Sequence, residues 1–257
     1  MFQTLNSGRL YIAEYANEDR ETSDVTLIIP PFGDEMNKSR ATLARFARRL
    51  SKPVVMPDLF GTGDSEGDFT EASVSRWLQN LNDLDSLLTE RGQRISAVVG
   101  LRFGCLLLSS WAQQRSDRLD SVVLCQPVTS GQQYLRQLFR LAAMSKLASS
   151  DSGKFDAKAV FESGHAVNCG GYLVDAQLAE EVEALQLAPV VADRISLLEV
   201  KSASSGTESA PQLSPGLRRV AENWDVQKTV VIPGAPFWQS TEIVVNDQLI
   251  DEICQCL

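Results

Sequence analysis

Residues 100–104, Gly-Leu-Arg-Phe-Gly, are the part of the sequence whose types and spacing point most directly to chemistry. They join an apolar run to a helical pattern. Glycines two positions before and after the centre let a strand and a helix pack closely around a sharp turn. Such a turn lifts its central side chain above the end of a sheet. That side chain is Arg102, which is permanently cationic and is not a nucleophile.

Two interpretations of Arg102 are open. In the first, its guanidinium and the nearby helix N-terminus form a pocket for a carboxylate or phosphate. The other polar side chains expected at the mouth of this pocket are Asn37, Arg40 and Gln126. In the second, Arg102 pairs with Glu35 or Glu242 and closes the pocket. Both give the guanidinium an acceptor, which a buried cation requires to offset its desolvation.

Three further side chains are candidates for catalysis. Glu35 could act as a base on a water molecule. Cys125 ends an apolar run at the carboxyl edge of the predicted sheet, where ligands bind. His165, the single histidine, lies in a glycine-rich stretch that could fold over the site, although a solvated or structural role is the common one there. We expect Cys105, one helical turn after the apex, to be buried and inert.

Short apolar runs alternate with longer helical patterns, which indicates βαβ units around a mostly parallel central sheet flanked by helices. Strands are predicted at 9–15, 25–29, 53–56, 95–100, 121–125, 195–200 and 229–232. Helices are predicted at 39–50, 74–88, 105–113 and 247–254. From 132 to 187 the pattern is mainly helical, which predicts a cap inserted into a single domain spanning 1–257. Residues 201–216 are rich in Ser, Gly and Pro and are typical of a loop.

Residues 57–67, Pro-Asp-Leu-Phe-Gly-Thr-Gly-Asp-Ser-Glu-Gly, directly follow a predicted strand. Gly61 and Gly63 permit positive φ in a tight loop, and Asp58 and Ser65 can tie it by hydrogen bonds. A dinucleotide-binding loop is disfavoured because Glu66 stands where the third glycine belongs and no helix opens there. A P-loop is excluded because no Gly-Lys-Ser/Thr follows.

This run resembles the D-x-x-G-x-G-x-S loop after the fourth strand of α/β hydrolases, and three other segments occur where that superfamily places them. Residues 30–33, Pro-Pro-Phe-Gly, match the oxyanion loop, and 100–104 match the nucleophile elbow. Residues 233–238, Pro-Gly-Ala-Pro-Phe-Trp, follow the last strand, where the catalytic histidine belongs. The resemblance covers essentially the whole chain. It implies an α/β-hydrolase fold with Phe32 and Phe103 at the oxyanion positions.

The resemblance can be narrowed. The segments PPFGDEMNKSR, GLRFG, QPV with GQQYLRQLFR, and PGAPFW are together similar to the second hydrolase associated with exosortase A systems. This implies an ester or thioester hydrolase of a bacterial exopolysaccharide and protein-sorting system, with another protein of that system as a partner.

The residues depart from that pattern at every catalytic position. Arg102 stands for the serine, and the histidine position offers Ala235, Pro236 and Phe237, none of which moves a proton. The stretch after Val200 contains one carboxylate, Glu208. Two hypotheses follow. The chain is a hydrolase with an unusual nucleophile or an activated water, or it is a non-catalytic binding or scaffolding protein for a small anionic or acylated ligand or a protein partner.

Composition excludes several other functions. A net charge of -9 argues against a nucleic-acid binder, which would need a basic face. One histidine excludes HExxH zinc chemistry, and no cysteine spacing fits a structural zinc site, so we expect neither metal nor cofactor. The start has no signal-peptide pattern and no apolar run is long enough to span a membrane. We therefore expect a cytoplasmic protein with reduced thiols.

Overall fold

A computed structural model describes residues 1–16, 22–148, 155–202 and 212–257. Eight strands form one sheet in the order β1-β2-β4-β3-β5-β6-β9-β10. The strands of this sheet are β1 Phe2–Leu5, β2 Gly8–Tyr15, β3 Asp24–Ile29, β4 Val54–Pro57, β5 Arg94–Leu101, β6 Leu119–Cys125, β9 Ala192–Lys201 and β10 Lys228–Pro233. β2 runs antiparallel to both β1 and β4, and every pairing from β4 to β10 is parallel.

Helices cover both faces of the sheet. They are α1 Asp34–Arg49, α2 Val74–Glu90, α3 Gly104–Ala112, α4 Gly131–Ala148, α5 Ala157–Glu162, α6 Ala176–Ala184, α7 Pro215–Asn223 and α8 Asp247–Gln255. A short 3₁₀ turn, Phe69–Glu71, precedes α2. The predicted fold class, a mostly parallel sheet flanked by helices, is confirmed. Within the described residues, no helix is long and apolar enough to cross a membrane.

Alternation along the strands builds two separate apolar layers, because successive side chains of a strand point to opposite faces. In β3, Leu27 and Ile29 belong to the layer under α2 and α3. Ile28 belongs to the layer under α1 and α8, which also holds Phe46 of α1. Because both faces of the parallel strands are buried, their sequences are nearly continuous apolar runs, and this pattern allowed the strands to be predicted.

The predicted cap differs in part from the observed structure. Between 131 and 187 the chain forms α4, α5 and α6, as the helical pattern indicated, but also an antiparallel pair, β7 Val167–Cys169 and β8 Tyr172–Val174. The glycine-rich stretch 164–171 thus includes a strand and a tight turn at Gly170 and Gly171, both at positive φ. Strands of three residues are too short to give a readable period-2 pattern.

The loop predicted at 201–216 also ends earlier than expected. α7 begins at Pro215, because proline is tolerated in the first helical turn, where its missing N–H has no partner to lose. Residues 203–211, including Glu208, lie outside the described residues. β1, at the antiparallel edge of the sheet, was not predicted.

The loop between β4 and α2 is tied as its sequence predicted. Asp58 accepts a hydrogen bond from the amide of Asp64 at 3.0 Å, and the hydroxyl of Ser65 donates to the Asp58 carbonyl at 2.5 Å. Gly63 has φ 55°, and a Cβ there would lie 2.0 Å from a carboxylate oxygen of Asp58. The glycine is required by this close approach.

Candidate functional site

The turn between β5 and α3 has the backbone of a nucleophile elbow. Arg102 has φ 55°, in the left-handed region that costs a non-glycine residue about 1–2 kcal/mol. Its amide donates to the carbonyl of Cys125 at 3.0 Å, which fixes the turn against β6. A Cβ on Gly104 would lie 2.0 Å from the carbonyl oxygen of Ile29, so this position accepts only glycine without a backbone shift. The tight strand–helix packing expected for residues 100–104 is confirmed.

At the apex, Arg102 forms an ion pair with Glu35, in the first turn of α1. Nε of Arg102 lies 3.3 Å from each carboxylate oxygen, and Nη2 lies 3.1 Å from Oε1. The exposed fractions of the two side chains are 6% and 5%. The open choice between Glu35 and Glu242 as internal partner is therefore settled in favour of Glu35, since Glu242 is exposed.

Helix α4 and the loop after β10 complete the surroundings of the guanidinium. Nη2 also donates to Oε1 of Gln137, on α4, at 2.6 Å. The ring of Trp238 lies 5.3 Å from Cζ, and the ring of Tyr134 lies 6.0 Å away. Both separations are within cation–π range. Trp238 thus contacts Arg102 from the loop where a hydrolase would carry its histidine.

An aromatic cluster underlies the ion pair. The ring of Phe32, from the loop after β3, lies 4.7 Å from that of Phe103 and 5.2 Å from that of Tyr134. Trp77 and Phe69 extend the cluster towards α2. The side chains of both residues predicted at the oxyanion positions, Phe32 and Phe103, are therefore buried packing elements.

The other side chains predicted to line the mouth are held by separate contacts. The exposed Asn37 donates to the hydroxyl of Tyr172, on β8, at 2.8 Å. Arg40 pairs with the buried Asp58 at 2.5 Å, where it supports the β4–α2 loop. Gln126 has φ 46°, and its side-chain oxygen accepts from the amide of Val200 at 2.6 Å. Of the three, Asn37 alone contacts a residue of the cavities described below.

The candidate nucleophiles and bases are not assembled into a catalytic group. Cys125 is buried in the layer under α1 and α8, and burial raises the pKa of its thiol well above the ordinary value. Cys105 is buried as expected, and its thiol donates to the Cys125 carbonyl at 3.6 Å. His165 is exposed, with Nδ1 3.0 Å from the hydroxyl of Ser163. Glu35 is engaged by Arg102.

Two adjoining cavities lie around the ion pair. The inner cavity, of about 220 Å³, lies between the loop after β3, α4 and the β7–β8 turn, and its lining includes Phe32, Glu35, Leu138, Tyr172 and Trp238. The outer cavity, of about 380 Å³, is lined by Arg102, Gln137, Arg140, Leu141, Met144, Trp238 and Gln239. Leu141, Trp238 and Gln239 line both. A ligand can therefore contact an arginine at one end and apolar surface at the other.

Two protonated groups, the Cys169 thiol and the Tyr134 hydroxyl, lie at or beside the inner cavity, and burial raises the pKa of both. Burial raises the pKa of the Cys169 thiol to about 12. Burial also raises the pKa of the Tyr134 hydroxyl well above its ordinary value; the charge of Glu35 raises it further and that of Arg102 lowers it. The Tyr134 hydroxyl is buried without a hydrogen-bond partner of normal geometry among the described residues. Neither group supplies an anionic nucleophile at neutral pH.

A buried acid near the end of β9 also has a structural role. Glu199 accepts from the amide of Ser214 at 2.7 Å, just before α7, and lies 3.6 Å from Nζ of Lys201.

Sequence reasoning missed Gln137, Tyr134, Tyr172 and Trp238 as residues of the site. Trp238 had a signal, since it closes the segment at the histidine position. The others had none, because a helical pattern does not tell which turn reaches a distant loop. Among the described residues, no cluster of His, Cys, Asp and Glu could hold a metal ion.

No protein-family model and no curated protein sequence matches the chain. Solved structures do match it along nearly its full length. Est1E from Butyrivibrio proteoclasticus, with ferulic acid bound, matches with a TM-score of 0.67 at 14% identity, over 99% of this chain and 96% of that one. Mouse alpha/beta hydrolase domain-containing protein 10 matches with a TM-score of 0.61 at 16% identity, over 99% of this chain and 96% of that one. A soluble variant of monoglyceride lipase from Saccharomyces cerevisiae matches with a TM-score of 0.62 at 10% identity, over 99% of this chain and 93% of that one. At these identities the likeness shows the fold, and the chain has the α/β-hydrolase fold.

Proposed function

We propose that this α/β-hydrolase-fold protein binds a small anionic or acylated ligand beneath its cap and has no efficient serine-hydrolase activity. The observation that carries the proposal is the occupation of the elbow apex by Arg102, paired with Glu35 at 3.1 Å and faced by Trp238. We further propose, from the resemblance of the four sequence segments, that it serves a bacterial exosortase and exopolysaccharide system. Its protein partner would be another member of that system.

The chemistry of acyl transfer supports this choice. A serine triad needs a nucleophile, a base that takes its proton and a group that orients the base. Here the apex is a cation, the loop after β10 presents the buried Phe237 and Trp238, and Glu35 is committed to Arg102. Loss of triad members leaves a rate of only about 10³–10⁴ over water even where the oxyanion hole survives.

A hydrolase with a different nucleophile is the second candidate, because the solved structures similar to this chain include an esterase, a lipase and an enol-lactonase. Cys169 lines the inner cavity and is the one thiol beside it among the described residues. Its pKa of about 12 keeps the thiolate scarce at neutral pH, and thiolate is the reactive form. This favours binding over turnover.

Est1E with ferulic acid bound and a Thermogutta terrifontis esterase with malate bound both hold carboxylic acids. In this chain the cavities combine Arg102 and Arg140 with an apolar wall, a combination that suits the same chemical class. We take this as support for an anionic ligand, with specificity set by the residues of this chain.

The test is hydrolysis of p-nitrophenyl acetate, p-nitrophenyl octanoate and an acyl thioester by the purified full chain, with fluorophosphonate labelling in parallel. We expect no turnover above buffer and no labelled serine. Cys169→Ala, Glu35→Gln and His165→Ala serve as controls. Turnover that is lost in any one of these variants, or ready labelling of a serine, would establish the hydrolase and refute the proposal.

A further inference from the structure

The hydrogen bonds of Arg102 leave part of its guanidinium without an acceptor. A guanidinium carries five N–H donors. Nε and Nη2 face Glu35, and Nη2 also donates to Gln137. Nη1 donates to no atom of the described residues. A largely buried charged donor without an acceptor is costly, so water or a ligand must satisfy it.

Arg102 lines the outer cavity, and the free corner of its guanidinium is the part that a ligand there can reach. A guanidinium is planar, so when its Nε–Nη2 edge is taken by one carboxylate, Nη1 lies at the opposite corner. Arg102 lines the outer cavity, and so does Arg140, on α4. The solvent-exposed 6% of the Arg102 side chain is available to this space. Arg140 therefore shares a cavity with the elbow apex.

From this arrangement we infer a carboxylate-binding site, which rests on the proposed binding function and specifies its ligand class. The ligand is a monocarboxylic acid with an apolar body. Its carboxylate accepts from Nη1 of Arg102 and pairs with Arg140. Its apolar body lies along Leu141 and Trp238, which both cavities share, and reaches Leu138 and Tyr172 of the inner cavity.

Charge balance favours a monoanion over a phosphate. Glu35 already neutralises Arg102, and Arg140 has no ion-pair partner within the part of the chain that the structure describes, so Arg140 supplies the remaining positive charge at the outer cavity. A dianionic phosphate would place a second negative charge close to the Glu35 carboxylate, which repels it. A single carboxylate matches the donors that remain.

The experiment is isothermal titration calorimetry of the full chain with octanoate and with 1-octanol, which share a chain and differ in head-group charge. We expect octanoate to bind about tenfold or more tightly than 1-octanol, as a charge-assisted hydrogen bond implies. Arg140→Gln should weaken octanoate several-fold and leave 1-octanol unchanged. Arg136→Gln is the matched control, because this exposed arginine lies one turn earlier on α4 and lines neither cavity.

The double variant Arg102→Gln/Glu35→Gln keeps the polar shape without a buried lone charge, and it should reduce the preference for octanoate to the several-fold part that Arg140 supplies. The inference is wrong if octanoate does not bind, if 1-octanol binds equally well, or if Arg136→Gln weakens octanoate as much as Arg140→Gln does. Its failure is distinct from that of the proposed function. Hydrolysis of p-nitrophenyl octanoate would refute the absence of turnover, whereas selective octanoate binding is measured without any ester.

Discussion

Removing the negative charge of Glu35 should cost this protein much of its stability. The pair with Arg102 is almost wholly buried, at 5% and 6% exposure, and three N···O contacts of 3.1–3.3 Å join the partners. Glu35→Gln preserves the side-chain shape but leaves the guanidinium unpaired. Breaking a buried pair by removing one partner costs about 3–5 kcal/mol. Because Gln137 still accepts from Nη2, we expect the lower end, about 3 kcal/mol.

Urea unfolding, followed by circular dichroism, measures this loss. With an m-value of about 3 kcal/mol/M, a loss of about 3 kcal/mol lowers the midpoint by about 1 M. The matched control is Asp34→Asn, one residue earlier in α1, which breaks a partly exposed pair with Lys38 and should cost at most about 1 kcal/mol. The double variant Glu35→Gln/Arg102→Gln should recover most of the loss, because replacing both members of a buried pair is often nearly neutral.

The reasoning fails if Glu35→Gln moves the midpoint no further than Asp34→Asn does. Arg102 would then be solvated, and the site would be open to water. The reasoning also fails if the double variant is less stable than Glu35→Gln. Removing the unpaired Arg102 cation would then recover no stability, so the lone cation would carry no penalty.

Two further predictions follow from the packing. Gly104→Ala should destabilise the fold by about 3 kcal/mol or more, because its Cβ would lie 2.0 Å from the Ile29 carbonyl oxygen. Gly92 has φ 72° and open space around its Cβ position, so Gly92→Ala should lower the free energy of unfolding by only about 1–2 kcal/mol in the same urea assay. Equal losses for the two variants would contradict the steric role given to Gly104. Iodoacetamide should label Cys169 in the native protein about a thousandfold more slowly at pH 8 than it labels an ordinary thiol of pKa 9.0, since a pKa of about 12 leaves roughly 10⁻⁴ of it as thiolate. Mass spectrometry should show that rate rising about tenfold per pH unit up to pH 11, and a pH-independent rate would refute it.

The pattern of alternating apolar runs and helical segments was enough to predict seven of the eight strands of the sheet, all but β1. Buried parallel strands such as β5 and β6 are continuous apolar runs, and the amphipathic period of α2 marks it as a surface helix. The β7–β8 pair and α7 were missed. The first is too short to show a period, and the second begins at a proline in a stretch otherwise typical of a loop.

Residue types alone determined that the elbow carries a cation where a nucleophile would stand, because Arg102 and the flanking glycines are local features of one turn. The tertiary structure determined which residues pair with that cation. Glu35 lies 67 positions away along the chain and Gln137 lies 35 away. Sequence spacing limits which residues of one helix share a face, but it does not fix which of several acids at a sheet edge meets a given guanidinium. That choice depends on how α1, α4 and the loop after β10 pack over the end of β5, which left Arg102 paired with Glu35 and enclosed by Trp238.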